Sequence, residues 1–260
     1  MLQRIFMGGS QRCLMRDGVA IYVYHYLGAP AQGSPDPYLY VSRDGFRKQC
    51  ATLRRHGYST TSLSDVAAAC REGRLLPGEV VITIDDGARN FFEHGMEILA
   101  AHGFHAIQFL VAGRIGGIND WDAKHGHPVV PLMDETQVRE WLAAGHDIGS
   151  HSMTHRNLSK LDEAAARQQI FDSKHLLEDK FGVAVRHFCY PHGKSTAMIE
   201  SLVQEAGYET ACTTRFGINR PGGNPMACKR IFPLSCAGLS GKVLHRLADR
   251  AKIRRLLRRP

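Results

Sequence analysis

No apolar run in this 260-residue chain approaches the roughly 20 residues that a bilayer-spanning helix needs. The opening MLQRIFMGGSQRCLMRDG carries arginines but no apolar stretch, so it does not read as a secretory signal of the usual form. Seven cysteines, at 13, 50, 70, 189, 212, 228 and 236, contain no CxxC and no ladder of spacings. That argues against a zinc ribbon, a dithiol redox motif and a disulfide framework, and makes reduced thiols in the cytoplasm the expectation. No internal repeat, low-complexity tract or HExxH motif is present. With 43% hydrophobic and 22% charged residues the composition is that of a globular chain able to bury a core without a disulfide or structural metal.

Net charge is also missing from most of the chain. The formal net charge is +8, but residues 242–260 hold eight Lys and Arg against the single Asp249. The body is therefore nearly neutral. That argues against nucleic acid as a partner and for an anionic partner at the C-terminus. In the tail, Leu244, Leu247, Ala248 and Ala251 share one helical face and arginines cover the rest. The pattern reads as an amphipathic helix for an anionic membrane surface, or as a solubilising tail. We divide the chain into a domain over 1–238 and a basic tail over 239–260, located in the cytoplasm or at the inner membrane face.

The body alternates strand and helix patterns. AIYVY at 20–24, VVITI at 80–84, residues 105–111, 146–150, 186–190 and 210–214 read as strands. Segments 43–56, 63–72, 90–102, 134–144, 162–181 and 196–206 read as helices. Asp134 caps one of these with Gln137 three residues on, and Gly103, Gly145, Gly182 and Gly207 follow helix ends. Such alternation implies a parallel sheet, and about seven strands in about 220 residues suit a TIM-like barrel short of eight units. Residues 113–131, rich in Gly, His and Asp, form a long insertion after a strand.

Three polar motifs each follow a predicted strand: Asp85-Asp86-Gly87, His151-Ser152-Met153-Thr154-His155 and Tyr190-Pro191-His192-Gly193. In parallel α/β folds the carboxyl ends of strands carry the chemistry, so the three motifs can share one rim. Adjacent carboxylates at the edge of a core repel each other, and a cation relieves that repulsion. Asp-Gly is equally an ordinary turn signal. Imidazoles four apart converge on a metal from a tight loop, though 14 histidines make one such pair unremarkable. The small polar residues Ser150, Ser152 and Thr154 favour the loop. Two imidazoles and one carboxylate would ligate, with one carboxylate left to take a proton. The set suits a catalytic zinc or non-haem iron.

These residues resemble the polysaccharide deacetylase family, also called the NodB-homology group or carbohydrate esterase family 4. Its T-F-D-D-G motif is seen as Thr83-Ile84-Asp85-Asp86-Gly87, its H-[ST]-x-x-H as 151–155 and its P-[YF]-G as Pro191-His192-Gly193. Tyr24-His25, the stretch 54–58 and residues 143–152 look like the bacterial exopolysaccharide branch. Coverage is about 18–234. The resemblance implies a distorted (β/α)7 barrel that removes N-acetyl groups from N-acetylhexosamine units of a poly- or oligosaccharide, possibly lipid-linked. It makes Asp85 the base and Asp86, His151 and His155 the ligands of a divalent metal, Zn2+ first, with Co2+, Mn2+ or Ni2+ as alternatives. It puts Tyr190, Pro191 and His192 at the substrate, with a backbone N–H near His192 for the oxyanion.

This chain departs from the family pattern in three places. The Arg expected four residues before Gly193, which positions the base, is replaced by Cys189, and Arg186 lies three residues earlier. His192 stands where Tyr or Phe is usual. The late L-x-H that supplies the acid has no match, which leaves His25 and His192 as candidate acids. The missing Arg and late His support another reading, a weakly active glycan-binding module, and an O-acetyl esterase is a further alternative. Trp121 could stack a sugar ring or anchor its loop. Oligomeric state is not legible.

Overall fold

The computed structural model describes residues 17–30 and 34–233. The basic tail lies outside them. The strands are β1 (Ala20–Tyr24), β2 (Tyr26–Leu27), β3 (Tyr40–Val41), β4 (Ser59–Thr60), β5 (Glu79–Ile84), β6 (Ile107–Leu110), β7 (Asp147–Ser150), β8 (His187–Cys189), β9 (Thr210–Phe216) and β10 (Cys228–Arg230). The helices are α1 (Arg43–Arg55), α2 (Leu63–Glu72), α3 (Arg89–Ala101), α4 (Glu135–Ala143), α5 (Glu163–Phe181) and α6 (Ala197–Glu205).

The main sheet runs β1-β5-β6-β7-β8-β9-β10, every neighbouring pair parallel, with β4 on the first residues of β5. Past β10 the chain returns to β1. Ile231 N–H donates to Ile21 O at 2.8 Å, and Val23 N–H donates to Ile231 O at 3.0 Å. These bonds join the last strand to the first and wrap the sheet into the barrel that the strand–helix alternation implied. The short pair β2 and β3 lies beside the rim and was not anticipated.

Strand parity sorts the core. Val80, Ile82 and Ile84 of β5 face the helices and pack with Phe46, Phe91, Leu99 and Trp141. Val81 faces inward with Ile21, Ile107, Phe109, Cys189, Cys212 and Cys228. All of these helices but α3 start at a capping side chain. Asp134 accepts from Gln137 N–H while Gln137 returns the bond to the Asp134 N–H. Ser62 and Asp65 make the same reciprocal box on α2. Asp162 caps α5, which ends on left-handed Gly182. No helix of the described residues is long and apolar enough to cross a membrane.

Candidate active site

The rim at the carboxyl ends of the strands gathers His25 after β1, Asp85 and Asp86 after β5, His151 to His155 after β7, Cys189 at the end of β8 and Arg230 at the end of β10. The inward parity of Val81 and Thr83 carries Asp85 toward the barrel axis. Its backbone N–H donates to Tyr24 O at 2.9 Å, still in register with β1. Asp86 then turns out of the strand with φ 73°.

Arg230 occupies the position at Asp85 for which the sequence offered only Arg186. Its Nη1 donates to Asp85 Oδ1 and its Nη2 to Asp85 Oδ2, both at 2.7 Å. Nε reaches Thr213 O at 2.9 Å, Nη1 also reaches Thr83 Oγ1 at 3.2 Å, and Nη2 reaches Cys189 Sγ at 3.2 Å. A guanidinium has five N–H donors, and all five are taken. Burial alone would raise the Asp85 carboxyl, but the Arg230 charge and its hydrogen bonds outweigh burial and hold it below the usual carboxylate range. Arg186, the alternative from the sequence, instead faces Glu209 at 3.4 Å on the surface. Inward parity of Cys228 and Arg230 around exposed Lys229 is the signal that would have found Arg230, in a stretch where no strand was expected.

Asp86, His151 and His155 each turn one ligand atom toward a common point, all within 4.8 Å of one another. Asp86 Oδ1 lies 3.5 Å from His151 Nε2 and 3.4 Å from His155 Nε2. His151 Nδ1 contacts Cys189 O at 2.7 Å, which puts the ring proton on Nδ1 and the lone pair on Nε2. Burial pushes His151 down to about 4 and His155 well below its ordinary value, so both rings are neutral at pH 7. Burial, followed by the neighbouring Asp85 charge, pushes Asp86 up to about 7. Two neutral imidazoles and a carboxylate that is costly to ionise without a counter-charge make a donor set that fits a divalent cation.

The loop carrying the histidines is bent, as its small polar residues imply. Ser152 and His155 have φ of 67° and 59°. Ser152 Oγ accepts from His155 N–H, and Gln169 of α5 accepts from both the N–H and hydroxyl of Thr154. Among the described residues, the non-glycine residues with positive φ are Asp86, Ser152, His155 and His192, all on this rim. Each costs roughly 1 kcal/mol or more, so the surrounding bonds hold this rim in a shape the chain would not adopt freely.

The remaining candidates surround this centre. His25 Nε2 is 3.8 Å from Asp85 Oδ2, and its ring stacks on Phe232 at 6.3 Å. Burial lowers His25 to about 4, against the opposing pull of Asp85. His192 sits at φ 59° with its ring 4.8 Å from that of His155. Trp121 stacks on His155 at 4.5 Å, so one indole face is already covered. Tyr190 is fully buried and its hydroxyl donates to Met226 O at 2.9 Å, so only its backbone borders the rim. Pro191 is buried beside it. Burial keeps the Cys189 thiol protonated, 3.5 Å from Asp85 Oδ2.

The sequence of this barrel matches an enzyme family. A family model for polysaccharide deacetylases matches residues 73–211, more than half of the chain, and the chain belongs to that family. It is 25% identical over 69% of its length to the putative polysaccharide deacetylase YxkH of Bacillus subtilis strain 168, and that match spans 60% of the relative. It is 30% identical over 43% of its length to the poly-beta-1,6-N-acetyl-D-glucosamine N-deacetylase of Escherichia coli K12, spanning 16% of that protein. The structure of IcaB from Ammonifex degensii shares the fold, with a TM-score of 0.72 and 22% identity, over 90% of this chain and 96% of that one. The chain thus spans less than two thirds of these curated relatives. Arg230 lies beyond the stretch that the family model matches.

Proposed function

We propose that the protein is a metal-dependent de-N-acetylase acting on N-acetylhexosamine units of a poly- or oligosaccharide. The observation that carries this reading is the adjacency of an ionised buried carboxylate, Asp85, to the Asp86–His151–His155 donor set. A bound Zn2+, Co2+, Mn2+ or Ni2+ ion would polarise the acetamide carbonyl and acidify the attacking water.

The chain's own groups account for the proton movements. Asp85, kept charged by Arg230, takes the proton of the attacking water. His25 is neutral at rest and 3.8 Å from Asp85 Oδ2, so it receives that proton and passes it to the departing amine nitrogen. The C–N bond breaks, the water oxygen stays on the acyl carbon, and acetate and a free amine leave. For the oxyanion, Pro191 has no N–H and Gly193 N–H is bonded to Tyr190 O at 2.7 Å, which leaves His192 as the amide of this turn.

The poly-beta-1,6-N-acetyl-D-glucosamine deacetylase relative supports a β-linked N-acetylglucosamine polymer as substrate. The weakly active module reading relied on a missing Arg and a missing late His. Arg230 and His25 stand at Asp85, which favours the active enzyme over that module. Acetate release from N-acetylglucosamine oligomers, measured after chelation and re-addition of Zn2+ or Co2+, tests the proposal. Wild type should require the ion, and Asp85→Asn should lose activity with metal still bound. Equal rates for both proteins would end it. Membrane association through residues 240–260 is a separate proposal, tested by co-sedimentation with acidic vesicles with and without that segment.

A further inference from the structure

Tyr26 follows His25 and is 5% exposed. Its ring packs on Tyr40 at 4.9 Å, in a small apolar cluster with Ala88, Leu39 and Val130. Its hydroxyl lies 2.8 Å from Asp86 Oδ2 and 3.0 Å from Asn119 Nδ2. The oxygen it meets on Asp86 is not the one that faces the two histidines, which is Oδ1. The carboxylate is therefore divided, one oxygen for the imidazole pair and one for the phenol.

The direction of each bond follows from elementary donor and acceptor rules. Val130 N–H can only donate, so the Asn119 atom facing it is the oxygen. The other end of that amide is the NH2 group, which donates to the Tyr26 oxygen. The single phenolic proton is then directed at Asp86. Asn119 is itself fixed at the base of the 113–131 segment, where its backbone N–H also donates to Val130 O at 3.2 Å. Trp121 of the same segment stacks on His155. The insertion thus touches two of the three metal-ligand candidates, directly at His155 and through Tyr26 at Asp86.

We infer that Tyr26 and Asn119 are positioning residues for the metal: they reserve Asp86 Oδ1 as a single-oxygen ligand and tie metal retention to the 113–131 segment. Ligating carboxylates are held by outer partners of this kind, and loss of one such partner weakens metal binding by roughly 10- to 100-fold. The inference rests on the metal-dependent reading above, and its test separates the two.

The experiment is competition for Zn2+ between the full chain and a chromophoric chelator, with the absorption spectrum of the Co2+ form as a second readout. Tyr26→Phe should weaken Zn2+ by roughly 10-fold or more while unfolding of the metal-free protein changes little. Asn119→Asp keeps the shape and the Val130 bond but competes for the phenolic proton, so it should weaken Zn2+ in the same direction and shift the Co2+ spectrum. In a Tyr26→Phe background, Asn119→Asp should add little, because its effect passes through the hydroxyl. If Tyr26→Phe does not fold, Asn119→Asp decides alone. Wild type that takes up no metal would defeat the functional reading. Wild type that binds, with both variants binding within twofold of it, would defeat this inference only.

Discussion

Arg230 and Asp85 stand 145 residues apart and meet through two parallel 2.7 Å hydrogen bonds, with both side chains out of solvent. Position 230 immediately precedes Ile231, whose backbone bonds to Ile21 and Val23 join this end of the sheet to β1. Closure of the barrel and ionisation of the candidate base therefore depend on the same few residues. A carboxylate so paired is charged at any neutral pH, which suits a group meant to accept a proton, and its low basicity is the cost.

Arg230→Met leaves the Asp85 charge buried without a partner and should destabilise the fold by about 3–5 kcal/mol. The pH dependence has a definite sign. Asp85 is depressed in the folded state, so its contribution is present above the unfolded carboxyl value and lost as pH falls through the folded one. In the variant that acid-side loss should disappear, and the acid limb of kcat/KM should move to higher pH because the main opposition to burial is gone. Urea unfolding at several pH values and a pH–rate profile check both. An unmoved acid limb would contradict the role given to Arg230. Arg230→Lys should not restore the wild-type profile, since an ammonium cannot make the paired contact.

Two motif glycines should differ sharply in tolerance. A Cβ on Gly193, at φ 66°, would lie 2.2 Å from Thr214 Oγ1 and 2.5 Å from its Cβ. The obstruction is the root of a β-branched side chain, which cannot swing away. A Cβ on Gly87, at φ 76°, meets Leu110 Cδ2 at 2.9 Å, the far end of a side chain that can turn. Gly87→Ala should cost roughly 1–2 kcal/mol from its backbone conformation, and Gly193→Ala clearly more. Denaturant midpoints with equal slopes would measure the difference, and the reverse order would refute this account.

Much of the site was legible because its residues sit in short motifs whose chemistry is local. Asp85-Asp86-Gly87 and His151 to His155 each follow a segment that reads as a strand, so their position on the rim could be read directly. The helix start at Asp134 was legible, because its side chain bonds the backbone N–H of Gln137 three residues on. Arg230 was not legible, because its strand is three residues long and its partner lies across the closed ring. Tyr26 was hidden for a related reason. A tyrosine after a strand looks like core, and only the fold brings Asn119 to its hydroxyl. Trp121 was read as a sugar platform or an anchor, and the stack on His155 is an anchoring contact.

The cysteines permit a direct check of the interior. Cys50, Cys70, Cys189, Cys212 and Cys228 are all buried and free. Burial pushes Cys50 up to about 12 and Cys189 well above its ordinary value, so neither offers a thiolate at pH 8. Native protein treated with iodoacetamide at pH 8 should leave these five unmodified by mass spectrometry, while unfolded protein should be modified at each. Rapid native labelling of Cys189 would mean that the floor beneath Asp85 opens to solvent.

Metal uptake should carry a proton signature set by Asp86 rather than by the histidines. Burial holds His151 near 4 and His155 lower still, so neither has a proton to release at pH 6 or above. Asp86 is pushed up to about 7 and is partly protonated at neutral pH in the metal-free protein. Binding an ion requires its carboxylate, so uptake should release close to one proton at pH 6, roughly half at pH 7 and almost none at pH 9. Apparent affinity should rise with pH to about 7 and then level off. Calorimetric titration with Zn2+ in buffers of different ionisation enthalpy counts these protons. Histidines titrating near their ordinary value of roughly 6.5 would add more than one further proton at pH 6. A count well above one there would show that the imidazoles are more open to water than the buried loop implies.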